Sequence, residues 1–166
     1  MTKFAVILLA ACGIAACAHA QQPALPARDV SLDADWRFHL GDAEGAEKPE
    51  TDDSAWRKVD VPHDYAIEGA FDQHSPAGGG GGYLTAGMAW YRKTFTIPAE
   101  QKGMAFTILF DGVYMNSDVW INGFHLGNHP YGYTGFSYDL TEHLNYGAKP
   151  NVLAVRVNVQ QPCSRW

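Results

Sequence analysis

Between Asn151 and Val159 the apolar residues Leu153, Val155, Val157 and Val159 fall on alternate positions, with Arg156 and Asn158 between them. A period of two places the apolar set on one face of a half-buried β-strand. The same pattern recurs: Tyr91, Phe95 and Ile97 alternate with Arg92, Thr94 and Thr96, and Phe106, Ile108 and Phe110 form a third set. Asp118 to Asn122 forms a fourth. It runs into Asn122-Gly123, a pair that tolerates positive φ at both positions and so predicts a tight hairpin returning through Phe124 to Leu126. Further strands are expected around Trp36–Leu40 and Gly135–Asp139, with one helical turn over Asp139–Leu144 capped by Asp139 or Thr141. No window carries a sustained helical period. The chain is therefore expected to be an antiparallel sandwich or barrel.

Between the strands, residues 62–87 form an irregular stretch with His63-Asp64-Tyr65 near its start and five consecutive glycines, Gly78–Gly82. It is too long for a mere connection, and long loops on a rigid sandwich are usually functional or disordered. For Tyr83 and the glycine run, disorder is the expectation. Composition agrees with strands and turns: 17 glycines and 13% aromatics in 166 residues favour them over helices. That length leaves room for one domain with a respectable core.

The first 20 residues read as an export signal: Lys3, an apolar run from Phe4 to Ala11, then small residues ending at Ala18-His19-Ala20. Ile14-Ala15-Ala16-Cys17 also resembles a lipobox, so a lipid anchor at Cys17 competes with soluble export to the periplasm or medium. Residues 21–29 form a Pro-containing linker, and residues 30–166 the folded domain. Cys12 and Cys17 lie in the leader, which leaves Cys163 without an internal partner and excludes a thiolate zinc site. The net charge of −6 argues against nucleic acid as a partner.

Several segments then occur in a recognisable order. They are Trp36-Arg37-Phe38, Trp56, Val61-Pro62-His63-Asp64-Tyr65, Trp90-Tyr91-Arg92-Lys93-Thr94-Phe95, Phe110-Asp111-Gly112-Val113, Val119-Trp120-Ile121-Asn122-Gly123, Leu126-Gly127, Tyr131-Gly132-Tyr133, Asp139-Leu140-Thr141 and Asn151 to Val157. Together the sequence resembles the N-terminal domain of family 2 glycoside hydrolases, bacterial β-galactosidase type, across nearly all of residues 30–166. Members commonly carry Pro-His-Asp-Trp; here Tyr65 stands in the Trp position. The resemblance implies an all-β jelly-roll sandwich of the galactose-binding type. It further implies a following immunoglobulin-like domain and a TIM barrel bearing two catalytic glutamates of a retaining mechanism. Cys163-Ser164-Arg165-Trp166 resembles the start of the family's Ser-Arg-Trp-Tyr-Ser-Gly segment. On that basis the chain is expected to lack the last strand or strands of the sandwich together with the barrel, and to be inactive alone.

No catalytic pair stands out among the 18 acidic residues, and no cofactor is expected. The candidate sugar contacts are His63, Asp64 and Tyr65, because a carboxylate or imidazole can fix hydroxyls while an aromatic ring stacks on a sugar's C–H face. The competing structural account is that Asp64 caps a turn and His63 packs on the sandwich. Arg165 and Trp166 are candidates for an inter-domain face. His125 and His129 are four apart but lack a third ligand, so no metal site is expected. Trp36, Trp56, Trp90 and Trp120 are expected to serve the core more than a ligand. Three functional readings stand open: a pocket-shaping piece of a galactoside hydrolase, a free-standing carbohydrate-binding module or lectin, and a remnant with an exposed sheet edge.

Overall fold

The computed structural model describes residues 29–159. The stretch read as an export signal, Cys17, most of the expected linker, Cys163, Arg165 and Trp166 lie outside the described residues. The eight strands among the described residues are β1 (Trp36–Leu40), β2 (Arg57–Val59), β3 (Met88–Phe95), β4 (Thr107–Phe110), β5 (Ser117–Ile121), β6 (Phe124–His129), β7 (Phe136–Asp139) and β8 (Asn151–Asn158), with short 3-10 turns in the β2–β3, β3–β4 and β7–β8 connections. The six-stranded sheet has the order β2-β1-β3-β8-β5-β6 and the two-stranded sheet pairs β4 with β7, every pairing being antiparallel. The alternating pattern left a sandwich or a barrel open, and the chain forms the all-β sandwich that the family resemblance implied. β2 carried no alternation long enough to signal it; its three residues Arg57-Lys58-Val59 gain their extended form by pairing with Trp36-Arg37-Phe38.

Alternation decides which side chains meet between the sheets. Val119, Ile121 and Leu153 are fully buried, packed with Val155, Val157, Phe38 and Tyr91 from the large sheet and with Ile108 and Leu140 from the opposite side. Asn122 and Gly123 both take positive φ, 51° and 83°, and close the β5–β6 hairpin as their sequence dictates. Asn122 also reaches beyond its turn: its amide nitrogen donates to the His143 carbonyl (2.7 Å) and to Asn151 Oδ1 (2.9 Å), and its Oδ1 accepts from the Val152 amide (2.9 Å). The expected turn after β7 spans Thr141–His143, and Asp139 Oδ1 accepts the Thr141 amide at 2.8 Å.

The outer face of the large sheet departs from the simple alternating picture. Arg92 has the parity of an outward, solvated residue, yet it is 1% exposed. Its guanidinium donates to the carbonyls of Ala46, Lys48 (2.9 Å) and Thr51 (3.3 Å), and to Asp53 Oδ2 (2.8 Å). The 41–56 loop is thereby drawn across the sheet, where Ala46 joins Trp90 and Ala154 in a second small core flanked by Trp56 and Trp120. β8 is buried on both faces over Asn151–Val155 for this reason.

Candidate functional site

The 62–87 loop leaves the β2 edge and returns to the start of β3, so a rigid sheet fixes both its ends. Just inside it, Asp64 is the cap of a 3-10 turn over Tyr65–Glu68, its Oδ1 accepting the Ala66 amide at 2.9 Å. An aspartate does this readily because its short carboxylate reaches a backbone N–H two residues on. Tyr65 points inward, buried, stacked near Phe38 with ring centroids 5.8 Å apart, and its hydroxyl donates to the Gly87 carbonyl at 3.2 Å. His63 packs edge-on against Phe38 at 4.7 Å, and its Nδ1 lies 2.8 Å from the Tyr91 hydroxyl. Its Nε2 faces Arg57 Nη2 at 2.6 Å and Glu68 Oε1 at 3.2 Å, while Arg57 donates to both Glu68 oxygens at 3.0 and 2.7 Å.

This constellation is a joint tying the loop to the sheet edge. The Arg57 hydrogen bond holds the Glu68 carboxyl below its usual range against the opposing cost of burial, and His63 adds to the lowering. Burial pushes the Tyr91 phenol well up, so it stays a neutral partner for His63. Of the three residues singled out in the sequence, Asp64 is exposed while His63 and Tyr65 are drawn into the packing.

The more open chemistry lies farther along. Phe71, Asp72, Gln73, His74 and Tyr83 line a shallow cavity of about 560 Å³. Phe71 is 78% exposed and Tyr83 45%, which gives the cavity two aromatic surfaces. Asp72 Oδ1 accepts from the His74 amide at 2.8 Å and sits 3.2 Å from His74 Nδ1, so the carboxylate orients the imidazole. Backbone bonds close the loop on itself: Asp72 N to Tyr83 O at 2.9 Å and Tyr83 N to Gly78 O at 2.9 Å. Ser75 Oγ also donates to the Leu84 carbonyl at 2.5 Å. Gly79–Gly81 form a 3-10 turn in place of the structureless run anticipated, and Gly78 and Gly82 take the positive φ values that this tight path needs.

Aromatic surface beside a carboxylate, an amide and an imidazole is the composition that recognises a polyol ring: apolar contact for the C–H face, hydrogen bonds for the hydroxyls. Reading by residue type passed over Phe71, Asp72 and His74. They follow one another with no periodicity, and only the Asp72–Tyr83 closure brings Tyr83 to them. His125 and His129 do not converge: His125 Nε2 pairs with Asp118 Oδ1 at 2.9 Å and His129 Nε2 with Thr134 Oγ1 at 3.1 Å.

Comparison with known proteins places the chain in a family. Residues 82–165 match the model of the glycosyl hydrolases family 2, sugar binding domain. A β-galactosidase of Bacteroides ovatus, BoGH2A, is 56% identical over 142 residues, covering 85% of this chain and 17% of its own length. A putative β-glucuronidase of Formosa agariphila is 43% identical over 139 residues, covering 83% of this chain and 13% of its own. Among solved structures, a family 2 glycosyl hydrolase of Bacteroides cellulosilyticus superposes with a TM-score of 0.78 at 42% identity, covering 82% of this chain and 18% of that one. The chain thus spans about a sixth of the length of these relatives. With matching strands, matching sequence and a matching family model over half its length, the chain belongs to family 2 of the glycosyl hydrolases.

Proposed function

We propose that this chain is the amino-terminal domain of an exported glycosidase of the β-galactosidase type, and that its 62–87 loop forms one wall of the pocket that receives a galactoside. The observation that carries the reading is the open cavity in which exposed Phe71 and Tyr83 stand beside the Asp72–His74 pair. The higher identity to a β-galactosidase than to a putative β-glucuronidase favours a galactoside over a glucuronide. So does the cavity lining, which includes neither Lys nor Arg to meet a uronate. Asp64, exposed at the foot of the loop, keeps Oδ1 on its cap and offers its second oxygen to a sugar hydroxyl, with His63 and Tyr65 setting its position.

Hydrolysis by this family's retaining mechanism needs two carboxyls about 5–5.5 Å apart across the scissile bond. Those belong to the barrel that the family places after this domain. The domain's work is to bind and orient, to exclude water from one side of the sugar, and to pack through Arg165 and Trp166 against its neighbours. The leader carries the protein out of the cytoplasm, either released by cleavage after Ala20 or leaving a lipid anchor at Cys17.

The test is a titration of the chain with galactose, lactose and glucuronic acid followed by amide resonances. Galactose-selective shifts confined to residues 62–87, lost in Asp72→Ala and weakened in Asp64→Ala, are expected. Shifts that are absent, or equal for glucuronic acid, would sink the galactoside assignment.

A further inference from the structure

At the foot of the 62–87 loop, one guanidinium nitrogen from the sheet edge meets three acceptors on the loop. Arg57 Nη2 lies 2.6 Å from His63 Nε2, 3.0 Å from Glu68 Oε1 and 2.7 Å from Glu68 Oε2. A guanidinium only donates, so His63 Nε2 accepts, and the one ring proton of the neutral imidazole sits on Nδ1. From there it donates to the Tyr91 hydroxyl oxygen at 2.8 Å. His63 Nε2 and Glu68 Oε1 are then two acceptors 3.2 Å apart, held together by the cation between them.

A second proton on the imidazole breaks this arrangement. On Nε2 it would stand between two cations 2.6 Å apart, where neither hydrogen bonding nor charge tolerates it. Glu68 Oε1 is the acceptor at hand. His63 is held in place, its side chain 9% exposed between the Phe38 ring and Tyr91, whereas Arg57 is half exposed and able to swing outward. The other charged and titratable groups on the packed elements are engaged elsewhere. Arg37 of β1 donates to the Trp56 carbonyl and His39 stacks on Trp56; Lys58 of β2 pairs with Asp35; Lys93 of β3 donates to the Ala34 carbonyl; Asp64 caps its own turn. Burial keeps the Tyr91 phenol neutral, and the Arg57 hydrogen bond keeps Glu68 ionised. That leaves the imidazole as the part of the joint able to change charge near neutral pH.

We infer that the Arg57–His63–Glu68 joint is a proton-operated latch on the 62–87 loop. With His63 neutral, Arg57 ties β2 to both His63 and the Tyr65–Glu68 turn. With His63 protonated, Nε2–H donates to Glu68 Oε1, and the tie from β2 falls from three acceptors to one, Glu68 Oε2. The loop's foot is then joined to itself more than to the sheet. What this does for ligand binding rests on the reading of the loop as a pocket wall; the latch itself is observable without a ligand.

The test is a titration of the chain from about pH 8 to about pH 5, following imidazole nitrogen and backbone amide resonances together. At the upper end His63 should show the Nδ1–H tautomer. The amides of residues 57–59 and 66–69 should shift as His63 is protonated, and their hydrogen-exchange protection, corrected for pH, should fall about tenfold. In His63→Gln both responses should vanish while the amides flanking His74 keep theirs. Arg57→Met should carry the protonated form of His63 to higher pH and Glu68→Gln confine it to lower pH, each by about one pH unit. A histidine that is only packed would not give these opposite signs, and the two variants carry the test if His63→Gln does not fold. An Nε2–H tautomer at the upper end, shifts of one sign in the two variants, or amides at 57–59 and 66–69 that ignore His63 would each overturn the latch. A working latch in a chain with no galactose response would leave this inference standing and remove the pocket reading; a galactose response without the latch would do the reverse.

Discussion

Two long loops flank the same edge of the large sheet and meet different fates. The 41–56 loop gives its carbonyls to a single buried cation, Arg92, and becomes part of the sandwich: Ala46 is fully buried and Asp53 closes the ion pair at 2.8 Å. The 62–87 loop is bound at its foot by the Arg57–His63–Glu68 joint and then closes on its own backbone, leaving Ile67, Phe71 and Tyr83 in solvent. A loop whose polar groups are satisfied by the core stabilises the fold. One that satisfies them internally keeps its side chains for something else.

The contrast is sharpest at Arg92. Arg92→Met should cost about 3–5 kcal/mol, because it strands Asp53 and several carbonyls that have lost contact with water. Urea unfolding would measure this, and a loss below about 1 kcal/mol would mean that the loop peels away and rehydrates without penalty. At the joint of the other loop, His63→Ala removes a packed ring and leaves the buried Tyr91 hydroxyl unpaired; about 1–3 kcal/mol is expected by the same measurement.

Acid should act on the sheet through Asp118, as it does on the loop's joint through Glu68. Burial tends to raise the Asp118 pKa, but hydrogen bonds from Arg156 (2.8 Å) and His125 (2.9 Å) outweigh it and hold the carboxyl below its usual range. A carboxylate with a depressed folded pKa contributes stability that is present above its unfolded value, about 4, and is lost as pH falls through the folded value. Asp118→Asn should therefore flatten part of the stability decline below about pH 4. An unchanged acid limb in the variant would remove Asp118 from the account. The smallest stability effect belongs to the open cavity: Phe71→Ser and Tyr83→Ser should shift stability by no more than about 0.5 kcal/mol while abolishing the galactose response. If either destabilises the fold as much as His63→Ala, the cavity rings are structural and the binding reading loses its support.

Four of the eight strands, β3, β4, β5 and β8, were legible because their apolar residues alternate, and the β5–β6 turn, with β6 after it, because Asn122 and Gly123 leave the backbone no easier conformation. β2 was not, since three residues are too few to show a period. Asp64 was readable as a turn cap from its residue type and position alone. Whether His63 and Tyr65 faced outward was not, because that depends on Phe38 and Tyr91, which come from other strands.

The sequence by itself therefore determined the all-β architecture, the hairpin and the family, since period, turn chemistry and ordered motifs are local properties of the chain. Tertiary structure alone decided that Arg92 is buried, that Tyr83 joins Asp72 and His74, and that Tyr114 lies on Gly132. Each of these pairs residues many positions apart. Exposure is a property of what lies across from a side chain in space, and no local pattern records it.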